Sequence, residues 1–397
     1  MTVSPQRSVL TMNRGSATLK SALYETGNRE DLLLSIAVGR ERDSGSHLKI
    51  VDGTGTSLLD TPVDDGISDG ALNAMLAWLG ERGFLSHLAA VGHRLVHGGA
   101  QYGKPQRITP EFMSNIEKLL PLDPDHLPAA IRGIEFISRK FPDLPQVACF
   151  DTAFHSSLPK VAQLYALPRR LSEQGVVRYG FHGLSYEYVM GELRAIEGNL
   201  ANGRVIIAHL GSGASIAAVH GGKSVDTSMG FTPLEGLVMA TRSGDLDPGA
   251  VLYLLGHEKI SAKELDSLLN KESGLLGVSG TSGNMKILVD NRKNDARAAE
   301  AVDLFCYRVK KYVGAYAAVL GGLDLLAFTG GIGENSFVIR EKICDGLDFL
   351  GVRLDGPSNQ ANADLISLSQ SHVKVRVVKT NEDLMIARHV QSTLGWQ

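Results

Sequence analysis

Apolar stretches that end at glycine-rich turns recur along the chain and predict strands alternating with helices. The run 9–12 ends at Asn13, and a second β-prone run, 21–24, follows a short Gly/Ser turn. Further along, the apolar run 323–328 leads directly into the turn 329–331. Short apolar runs bounded by glycine are typical of buried strands. This order of strand, glycine turn and helix favours the α/β class.

Helical periodicity is clearest in residues 299–313. Apolar side chains recur there at i, i+3, i+4 and i+7 spacing, while lysine and arginine fill the opposite face, which predicts an amphipathic helix. A second helix is predicted to start within 380–388, because Asn381 suits the N-cap and Glu382 suits the first turn. The apolar positions of the first helix are Val302, Phe305, Cys306, Val309 and Val313.

Two distant segments, 8–25 and 205–222, share one pattern. Each has an apolar strand, a polar residue at its end (Asn13 or His209), a Gly/Ser turn and a second strand of small and apolar residues. Internal similarity of this kind predicts two related halves. The alternative is that hairpins with Gly/Ser turns are common and that the two segments are unrelated.

The composition is that of a globular protein with more than one domain. A chain of 397 residues exceeds the length at which one hydrophobic core usually stops growing, so two domains with a cleft between them are expected. The net charge is −3 and 21% of residues are charged, which provides no large basic field and argues against nucleic acid as a partner. No apolar stretch is long enough for a signal peptide or a membrane span, so no membrane partner is expected.

The three cysteines, Cys149, Cys306 and Cys344, lie far apart and show no CxxC spacing. They are therefore predicted to be buried thiols in a reducing compartment, and the protein is predicted to be cytoplasmic. No His/Cys cluster has the spacing of a zinc site, whereas oxygen ligands for magnesium are plentiful.

Two turns rich in glycine and serine have the composition of an anion site. Glycine allows a phosphate to approach the backbone N–H groups closely, and serine or threonine hydroxyls add further donors. Neither turn matches GxxxxGK[ST] or GxGxxG, so each motif alone is weak evidence, and a simple β-turn is the alternative for the first. The candidate donors are Ser16, Thr18 and Lys20 in "NRGSATLK" and His209, Ser212, Gly213 and Ser215 in "HLGSGAS".

Four further motifs place charged or titratable side chains beside glycines or strand ends. Arg94 in "GHRLVHGG" has the planar fork that binds carboxylate or phosphate, and a solvated loop arginine is the alternative. Asp151 in "CFDTAFHSSLP" suits either a metal or general-base role or a helix N-cap. His182 in "RYGFHGLSYEYV" is either a reactive histidine or one bonded to backbone, and Arg242 lies in "TRSGDLDPG". Phosphoryl transfer needs positioning and positive charge, which this set supplies.

The motifs described so far, in their order along the chain, resemble those of the acetate kinase family over residues 8–390. Four further stretches share the resemblance: "DTSMGFTPLEGLVMATRSGDLDP", "GVSG", "FTGGIGENS" and "TNEDLMIAR". The resemblance implies an α/β fold of two duplicated ribonuclease-H-like domains, the actin-like ATPase fold, with an interdomain nucleotide cleft. The N-terminal domain would be 1–150, joined by the C-terminal helix 383–397, and the nucleotide-binding domain would be 151–382. A homodimer is also implied.

The activity that the resemblance implies is reversible transfer of the ATP γ-phosphoryl group to acetate, giving acetyl phosphate and ADP. Mg²⁺ would be the metal, with Mn²⁺ as an alternative. Three other functions are open: a kinase for propionate or another short-chain acid, an actin- or Hsp70-like ATPase without an acyl acceptor, and a paralogue that binds nucleotide but transfers slowly. Because a carboxylate substrate is already ionised at neutral pH, no general base is needed, and Asp151 is interpreted as arranging magnesium or Arg94.

The resemblance assigns roles residue by residue. Asn13 and Glu382 would sit at the magnesium site, and Arg94 would hold the acyl substrate. The catalytic residues would be Asp151, His182 and Arg242, the last two stabilising the transition state. The acyl pocket would be lined by Val96, His126, Phe181 and Pro233. The nucleotide would contact Lys20, His209, Leu210, Gly211, Ser212, Gly213, Asn284, Met285, Lys286, Gly331, Ile332, Gly333, Glu334 and Asn335.

The chain departs from the usual family pattern at four places. Ala17 takes the place of a serine in the first turn, where Arg14 also replaces a small residue and either contacts phosphate or points into solvent. Ser212 replaces a longer asparagine, and 284–286 carry one charge fewer than usual. Asp125 stands where an aliphatic residue would line the methyl pocket, which leaves the preferred acid open.

Overall fold

The computed structural model describes residues 7–14, 18–27, 30–41, 45–63 and 69–396. The expectations for Ser16 and Ala17 lie outside these described residues. The chain divides into two compact units, Met1–Ala153 with Asn381–Gln397, and Phe154–Thr380. Residues 151–153 and 381–382, which the domain prediction assigns to the C-terminal domain, belong to the first unit.

Within the described residues, the sheet of the first unit consists of β1 (Arg7–Arg14), β2 (Thr18–Thr26), β3 (Asp31–Glu41), β4 (Gly45–Asp52), β5 (Ser57–Val63), β6 (Leu88–Leu95), β7 (Gln106–Arg107) and β8 (Gln146–Phe150). The strand order is β5-β4-β3-β2-β1-β6-β8-β7. β1 and β2 form the expected antiparallel hairpin, with Asn13 opposite Lys20 in the register. β1 and β6 are parallel, and so are β6 and β8.

The sheet of the second unit consists of β9 (Arg204–Leu210), β10 (Ala214–His220), β11 (Lys223–Thr227), β12 (Leu325–Thr329) and β13 (Lys374–Val377). The order is β11-β10-β9-β12-β13. β9 and β10 form the second expected hairpin, and β12 runs parallel to both β9 and β13. Every residue of β12 is buried, which confirms the strand predicted at 323–328.

The two sheets share one topology. In the first unit the strands β3-β2-β1-β6-β8 have the same order and relative directions as β11-β10-β9-β12-β13 in the second. In each unit the first three strands along the chain form antiparallel pairs, and two later strands, β6 and β8 or β12 and β13, are parallel to the first of the three. This is the ribonuclease-H-like arrangement, so the prediction of two related halves is confirmed.

Helices cover the sheets. The predicted helix at 299–313 lies within α11, where Val302, Phe305 and Val309 are fully buried. In the part of the chain that the structure describes, no helix has the length and apolar composition needed to span a bilayer. The helices are α1 Asp69–Glu81, α2 Pro110–Glu117, α3 Leu127–Lys140, α4 Lys160–Gln163, α5 Arg169–Glu173, α6 Gly183–Glu197, α7 Pro248–His257, α8 Ala262–Ser267, α9 Gly274–Ser279, α10 Met285–Asn291, α11 Ala296–Leu320, α12 Gly330–Asn335, α13 Phe337–Cys344, α14 Gly356–Gln360 and α15 Glu382–Thr393.

The last helix, α15, completes the first unit. It begins where the sequence predicts, because the Asn381 side chain accepts a hydrogen bond from Leu384 N at 3.0 Å as the N-cap. A Cβ atom placed on Gly92 of β6 would lie only 2.4 Å from Ile386 Cγ2. The missing side chain at Gly92 therefore allows α15 to pack directly on the sheet.

The parallel strands explain where the polar candidates lie. In the first unit β1, β6 and β8 end at or next to Asn13, Arg94 and Asp151. In the second unit, Thr329 at the end of β12 pairs with His209 near the end of β9. Parallel strands bring their carboxyl ends to one edge of the sheet, which is where α/β folds bind ligands.

Candidate active site

In the first unit, Arg94 is the centre of a charged cluster. Its Nε donates to Asp151 Oδ1 at 3.0 Å and to Oδ2 at 3.1 Å, and NH2 also donates to Oδ2. NH1 donates to Asn13 Oδ1 at 2.9 Å. The carboxylate of Asp151 thus orients Arg94, and the next helical turn starts only at Ala153, so the N-cap interpretation of Asp151 is wrong.

The charge of Arg94 is strongly stabilised. Burial by itself would lower its pKa, but the carboxylates of Asp151, Glu382 and Asp383 raise the pKa above its ordinary value. The contacts described above use the Nε hydrogen and one hydrogen on each terminal nitrogen. A guanidinium has five N–H donors, so each terminal nitrogen keeps a second hydrogen that can bind an anion.

Hydrogen bonds tie the start of α15 to the β1–β2 hairpin. Thr11 Oγ1 donates to Asp383 Oδ1 at 2.8 Å, and the Tyr24 hydroxyl donates to Asn381 Oδ1 at 3.1 Å. Burial raises the pKa of Asp383, although the bond from Thr11 lowers it. These bonds hold Glu382, in the first turn of α15, on the same side of the first unit as the Arg94 cluster.

Asn13 and Glu382 have the chemistry of ligands for a hard divalent cation. Both offer oxygen atoms, and Glu382 is close enough to Arg94 to raise its pKa. Among the described residues, no group of three or more His, Cys, Asp and Glu side chains could hold a metal ion. One or two protein oxygens fit Mg²⁺, which usually keeps several waters and binds substrate phosphates as well.

The other candidates of the first unit differ in how exposed they are. Lys20 is exposed on β2 opposite Asn13, and Val96 is half-buried just after β6. Asp125 is exposed, whereas the neighbouring His126 pairs with Asp123. The placement of Asp125 in the acyl pocket stays a prediction.

Arg14 does not point freely into solvent. Its side chain is half-buried, and a Cβ atom placed on Gly133 of α3 would lie 3.5 Å from its Cδ. Burial lowers the pKa of Arg14, and the nearby charge of Arg132 lowers it further. Arg14 therefore packs along α3, and the solvent interpretation is wrong.

In the second unit, His182 adopts an uncommon backbone conformation. Its φ is 59° immediately before α6, a region that non-glycine residues rarely occupy and that often marks functional sites. Its Nδ1 lies 2.8 Å from Ser215 Oγ, which also bonds the Tyr186 hydroxyl. Ser215 is fully buried and engaged by these two groups, so the prediction that its hydroxyl binds phosphate is wrong.

His209 lies next to His182. The two rings stack with centroids 4.3 Å apart, and His209 Nδ1 lies 2.8 Å from Ser185 Oγ. Thr380 Oγ1 in turn donates to Ser185 Oγ at 2.8 Å. This chain of contacts connects β9, α6 and the segment that follows β13, and it fixes both imidazoles.

The turn 211–213 brings His182 and Arg242 together. A Cβ atom placed on Gly213 would lie 3.3 Å from His182 Nε2 and 3.9 Å from Arg242 NH1. NH1 of Arg242 donates to the Pro233 carbonyl at 3.0 Å. The Ser212 side chain is exposed at the tip of the turn, and its carbonyl accepts from Ala240 N at 3.0 Å. A histidine nitrogen, a guanidinium and a glycine-rich turn thus meet at one place, which suits an anionic ligand.

The segment 330–335 begins with a tightly packed glycine. Gly330 has a φ of 77°, and a Cβ atom there would lie 2.7 Å from the Leu210 carbonyl oxygen. Gly331 is exposed with open space around it, and its carbonyl accepts from Asn335 Nδ2 at 2.9 Å. Glu334 Oε1 accepts from Gly330 N at 2.9 Å and from Thr380 N at 3.1 Å, so this carboxylate holds the loop together.

Burial restricts how several nucleotide candidates can act. Leu210 is 0% exposed and Met285 4% exposed, so only their backbone atoms can reach a ligand. Asn284 is the N-cap of α10, accepting from Lys286 N at 3.0 Å, while the Lys286 side chain is exposed. Phe181 is 1% exposed, which leaves its ring little surface for an acyl group. Of the other candidates, Ile332 is half-buried and Gly333 buried.

Several supporting residues give no signal in the sequence. Arg178 NH1 donates to the Met229 carbonyl at 3.0 Å, and its NH2 donates to Glu235 at 2.6 Å, which holds the loop before Arg242. Buried His155 lies 3.0 Å from the Phe181 carbonyl, next to His182. Arg340, fully buried, donates to the Gly333 carbonyl at 2.8 Å. Only the partners, which are distant in sequence, identify these roles.

Comparisons with known proteins cover almost the whole chain. The model of the acetokinase family matches residues 8–388. Acetate kinase from Rhodopseudomonas palustris is 47% identical over 389 residues, which is 96% of this chain and 97% of that protein. The crystal structure of Porphyromonas gingivalis acetate kinase shares 40% identity at a TM-score of 0.88, covering 98% of this chain and 100% of the other. A propionate kinase from Francisella tularensis shares 37% identity at a TM-score of 0.91, covering 96% and 98%.

Proposed function

The chain belongs to the acetokinase family, and on that basis we propose that it is an acetate kinase. It transfers the γ-phosphoryl group of ATP reversibly to acetate, giving acetyl phosphate and ADP. The observation that carries the proposal is the Arg94 cluster. A guanidinium fixed by Asp151 and Asn13, with one hydrogen left on each terminal nitrogen, is suited to a small carboxylate.

In this mechanism Arg94 binds the carboxylate of acetate. The substrate is ionised at neutral pH, so its oxygen attacks without losing a proton and Asp151 acts by orienting Arg94. Val96 and His126 of the first unit, and Phe181 and Pro233 of the second, are the proposed acyl contacts. A positive charge held in place before the reaction begins reduces the repulsion between two anions without further reorganisation.

Asn13 and Glu382 would hold the divalent cation, which we propose to be Mg²⁺, with Mn²⁺ as a substitute. When bound, the cation neutralises charge on the ATP phosphates. Lys20, exposed on the strand opposite Asn13, supplies a further positive charge on this side of the first unit.

In the second unit, His182 and Arg242 would stabilise the phosphoryl group during transfer. His182 Nδ1 is engaged by Ser215, so Nε2, next to Gly213 and Arg242, is the nitrogen that meets the ligand. Both side chains would act on charge that develops in the transition state, which is the interaction that raises kcat. The proposed nucleotide contacts are His209, Leu210, Gly211, Ser212, Gly213, Asn284, Met285, Lys286, Gly331, Ile332, Gly333, Glu334 and Asn335.

A hydroxamate assay with ATP, magnesium and a panel of short carboxylic acids tests the proposal. We expect ADP and hydroxamate to form together and only when an acid is present, with acetate as the best acceptor. ADP formed without any acid would indicate an ATPase of the actin or Hsp70 kind instead. Absence of both products at high enzyme concentration would contradict the proposal.

A propionate kinase is the second candidate, and the Francisella tularensis propionate kinase, with its TM-score of 0.91, is the observation that favours it. A pocket typically distinguishes one methylene by only about 1–3 kcal/mol, so the two acids are expected to differ by roughly 10- to 200-fold in kcat/KM. Measuring kcat/KM for both acids on one preparation ranks the candidates. A larger value for propionate would replace acetate as the proposed substrate.

We also propose a homodimer in the cytoplasm. The ten residues of α7, all of them described, include none that is buried, and Leu252 and Tyr253 are 69% and 54% exposed. Apolar patches of this kind often mark protein interfaces.

The cytoplasmic location is supported by the three cysteines, which are buried free thiols and suit a reducing compartment. The dimer has its own test. Light scattering of the wild type and of Leu252→Lys tests the dimer, and a wild-type monomer would contradict it.

A further inference from the structure

Asp123 and His126 form a side-chain pair at the start of α3 in the first unit. Asp123 Oδ1 lies 2.9 Å from His126 Nδ1 and accepts from the His126 backbone N at 3.3 Å. An ionised carboxylate can only accept hydrogen bonds, so the ring hydrogen must be on Nδ1. The nitrogen that remains for a ligand is then Nε2, on the far side of the ring.

Burial differs sharply between the two side chains. Asp123 is 4% exposed, whereas His126 is 32% exposed, so the carboxylate lies inside and the imidazole reaches the surface. Among the described residues, Asp123 Oδ2 has no hydrogen-bond partner, and the His126 ring is the side chain that contacts Oδ1. A buried carboxylate with so few donors is costly, so this pair needs an explanation beyond packing.

Helix capping explains only part of the arrangement. An acidic group near the N-terminus of α3 is favoured by the helix dipole, and the bond to the His126 backbone N fits that role. However, α3 has no side-chain cap, and the shorter bond of Asp123 goes to the imidazole ring. The exposed Asp125 places a second acid in the same loop.

We propose that Asp123 is a positioning residue that fixes the tautomer and the orientation of His126, so that Nε2 faces the acyl substrate. A carboxylate bonded to one ring nitrogen commonly sets which nitrogen meets a ligand. This inference rests on the proposed function, in which His126 contacts the acyl group. It assigns substrate affinity, rather than the chemical step, to Asp123.

Steady-state kinetics provide the first test. We expect Asp123→Ala to raise the KM for acetate about tenfold while kcat and the KM for ATP stay within about twofold, because only acyl binding uses His126. Asp123→Asn keeps an oxygen acceptor and should restore most of the affinity. Asp143→Asn, the matched control, removes the same charge from an exposed turn beyond the end of α3 and should change nothing.

A double-mutant cycle separates positioning from general support of the fold. In a His126→Ala background, Asp123→Ala should raise the KM for acetate no further, because its effect passes through the ring. An effect that persists in that background, or an equal rise for Asp143→Asn, would overturn the inference. Thermal unfolding checks each variant. If Asp123→Ala does not fold, Asp123→Leu takes its place, because leucine fills the site but cannot accept a hydrogen bond from the ring.

A spectroscopic test does not depend on activity. In ¹⁵N spectra of the histidine rings, with the His126 signals assigned through His126→Gln, the wild type should show the hydrogen on Nδ1. Asp123→Ala should move it to Nε2 in a substantial fraction of molecules. If the tautomer of His126 is unchanged in Asp123→Ala, the inference is overturned even when the enzyme is active. If the wild-type enzyme is inactive on all acids, the proposed function is overturned, but the effect of Asp123 on the tautomer can still be read from the spectra.

Discussion

Single side chains at the site are held by partners of different charge. Arg94 is oriented by the carboxylate of Asp151, whereas NH1 of Arg242 donates to the neutral carbonyl of Pro233. A carboxylate offsets much of the field of an arginine, while a carbonyl only directs it. Arg94 is thus suited to holding a substrate in place, and in the proposed mechanism Arg242 meets the charge that develops during the reaction.

Replacing Arg242 with alanine should therefore act on the chemical step. We expect kcat to fall on the order of 10³-fold with little change in the KM for ATP, because the charge acts mainly in the transition state. Initial-rate kinetics over a range of ATP and acetate concentrations measure both constants. Arg353→Ala, at an exposed site, is the control. Equal losses in ATP affinity and kcat would identify Arg242 as a ground-state ligand instead.

Gly213 is a second residue whose replacement should affect catalysis more than folding. A Cβ atom there would lie 3.3 Å from His182 Nε2, closer than most real contacts of this kind, so the ring must move by a few tenths of an ångström. We expect Gly213→Ala to lower kcat roughly 10- to 100-fold, since misplaced catalytic groups lose rate steeply. Gly191→Ala in α6, with no atom within 4 Å of the new methyl group, should keep full activity. An unchanged kcat for Gly213→Ala would show that His182 needs no exact placement.

At the scale of elements, two neighbouring glycines of α12 are expected to have different roles, Gly330 in the stability of the fold and Gly331 in binding the nucleotide. Gly330 needs a positive φ and lies against the Leu210 carbonyl, whereas Gly331 has no neighbour within 4 Å. Gly330→Ala should lower the free energy of unfolding by about 1–3 kcal/mol, through strain and a backbone clash. Gly331→Ala should leave stability unchanged and raise the KM for ATP. Denaturant titration and kinetics on both variants separate the effects, and equal stability losses would contradict this division.

Local patterns predicted the elements well because periodicity and turn chemistry act over short distances. The hairpin ending at Asn13, the helix α11 and the N-cap at Asn381 all follow from neighbours in sequence. The link between Asp151 and Arg94 came from the family resemblance, and the structure shows that both residues lie at the ends of the parallel strands β6 and β8. Ser215 was assigned wrongly, because both faces of β10 are buried and alternation gives no sign of which side a serine faces.

Partners distant in sequence limited what could be foreseen at the site. The bond between His182 and Ser215 spans 33 residues, and that between Ser185 and Thr380 spans 195. The backbone strain at His182 is also invisible in the sequence, since only glycine signals a positive φ reliably. The family resemblance supplied names for these residues, but their hydrogen-bond partners depend on the tertiary fold.

For the whole molecule, one buried histidine in each unit links stability to pH. Burial lowers the pKa of His93 and of His155 to about 4, against small opposing effects from their hydrogen bonds. The pKa of histidine is 6.5 in the unfolded chain and about 4 at these two positions in the folded chain. Between pH 6.5 and pH 4 the unfolded chain therefore binds protons that the folded chain does not, so the free energy of unfolding falls as the pH falls. Each histidine is expected to contribute up to about 3 kcal/mol of this loss.

Urea titrations at pH 7.5, 6 and 5 measure this dependence. The free energy of unfolding should decrease steadily over the series, and His93→Gln should show a shallower decrease than the wild type. Glu197 and Asp324 have pKa values lowered by their hydrogen-bonded partners, so their contribution is lost only at more acidic pH. A flat profile down to pH 5 would contradict the buried, neutral state of these histidines.

The position of α15 on β6 has a consequence for how the chain folds as it leaves the ribosome. Domains commonly fold in the order of synthesis, N-terminal first. Here the helix that covers Gly92 is translated after the whole segment Phe154–Thr380, so that segment can reach its native state while the first sheet still lacks part of its cover. In nascent chains stalled before residue 381, the segment Phe154–Thr380 should therefore resist protease, whereas the segment Met1–Ala153 should still be cleaved.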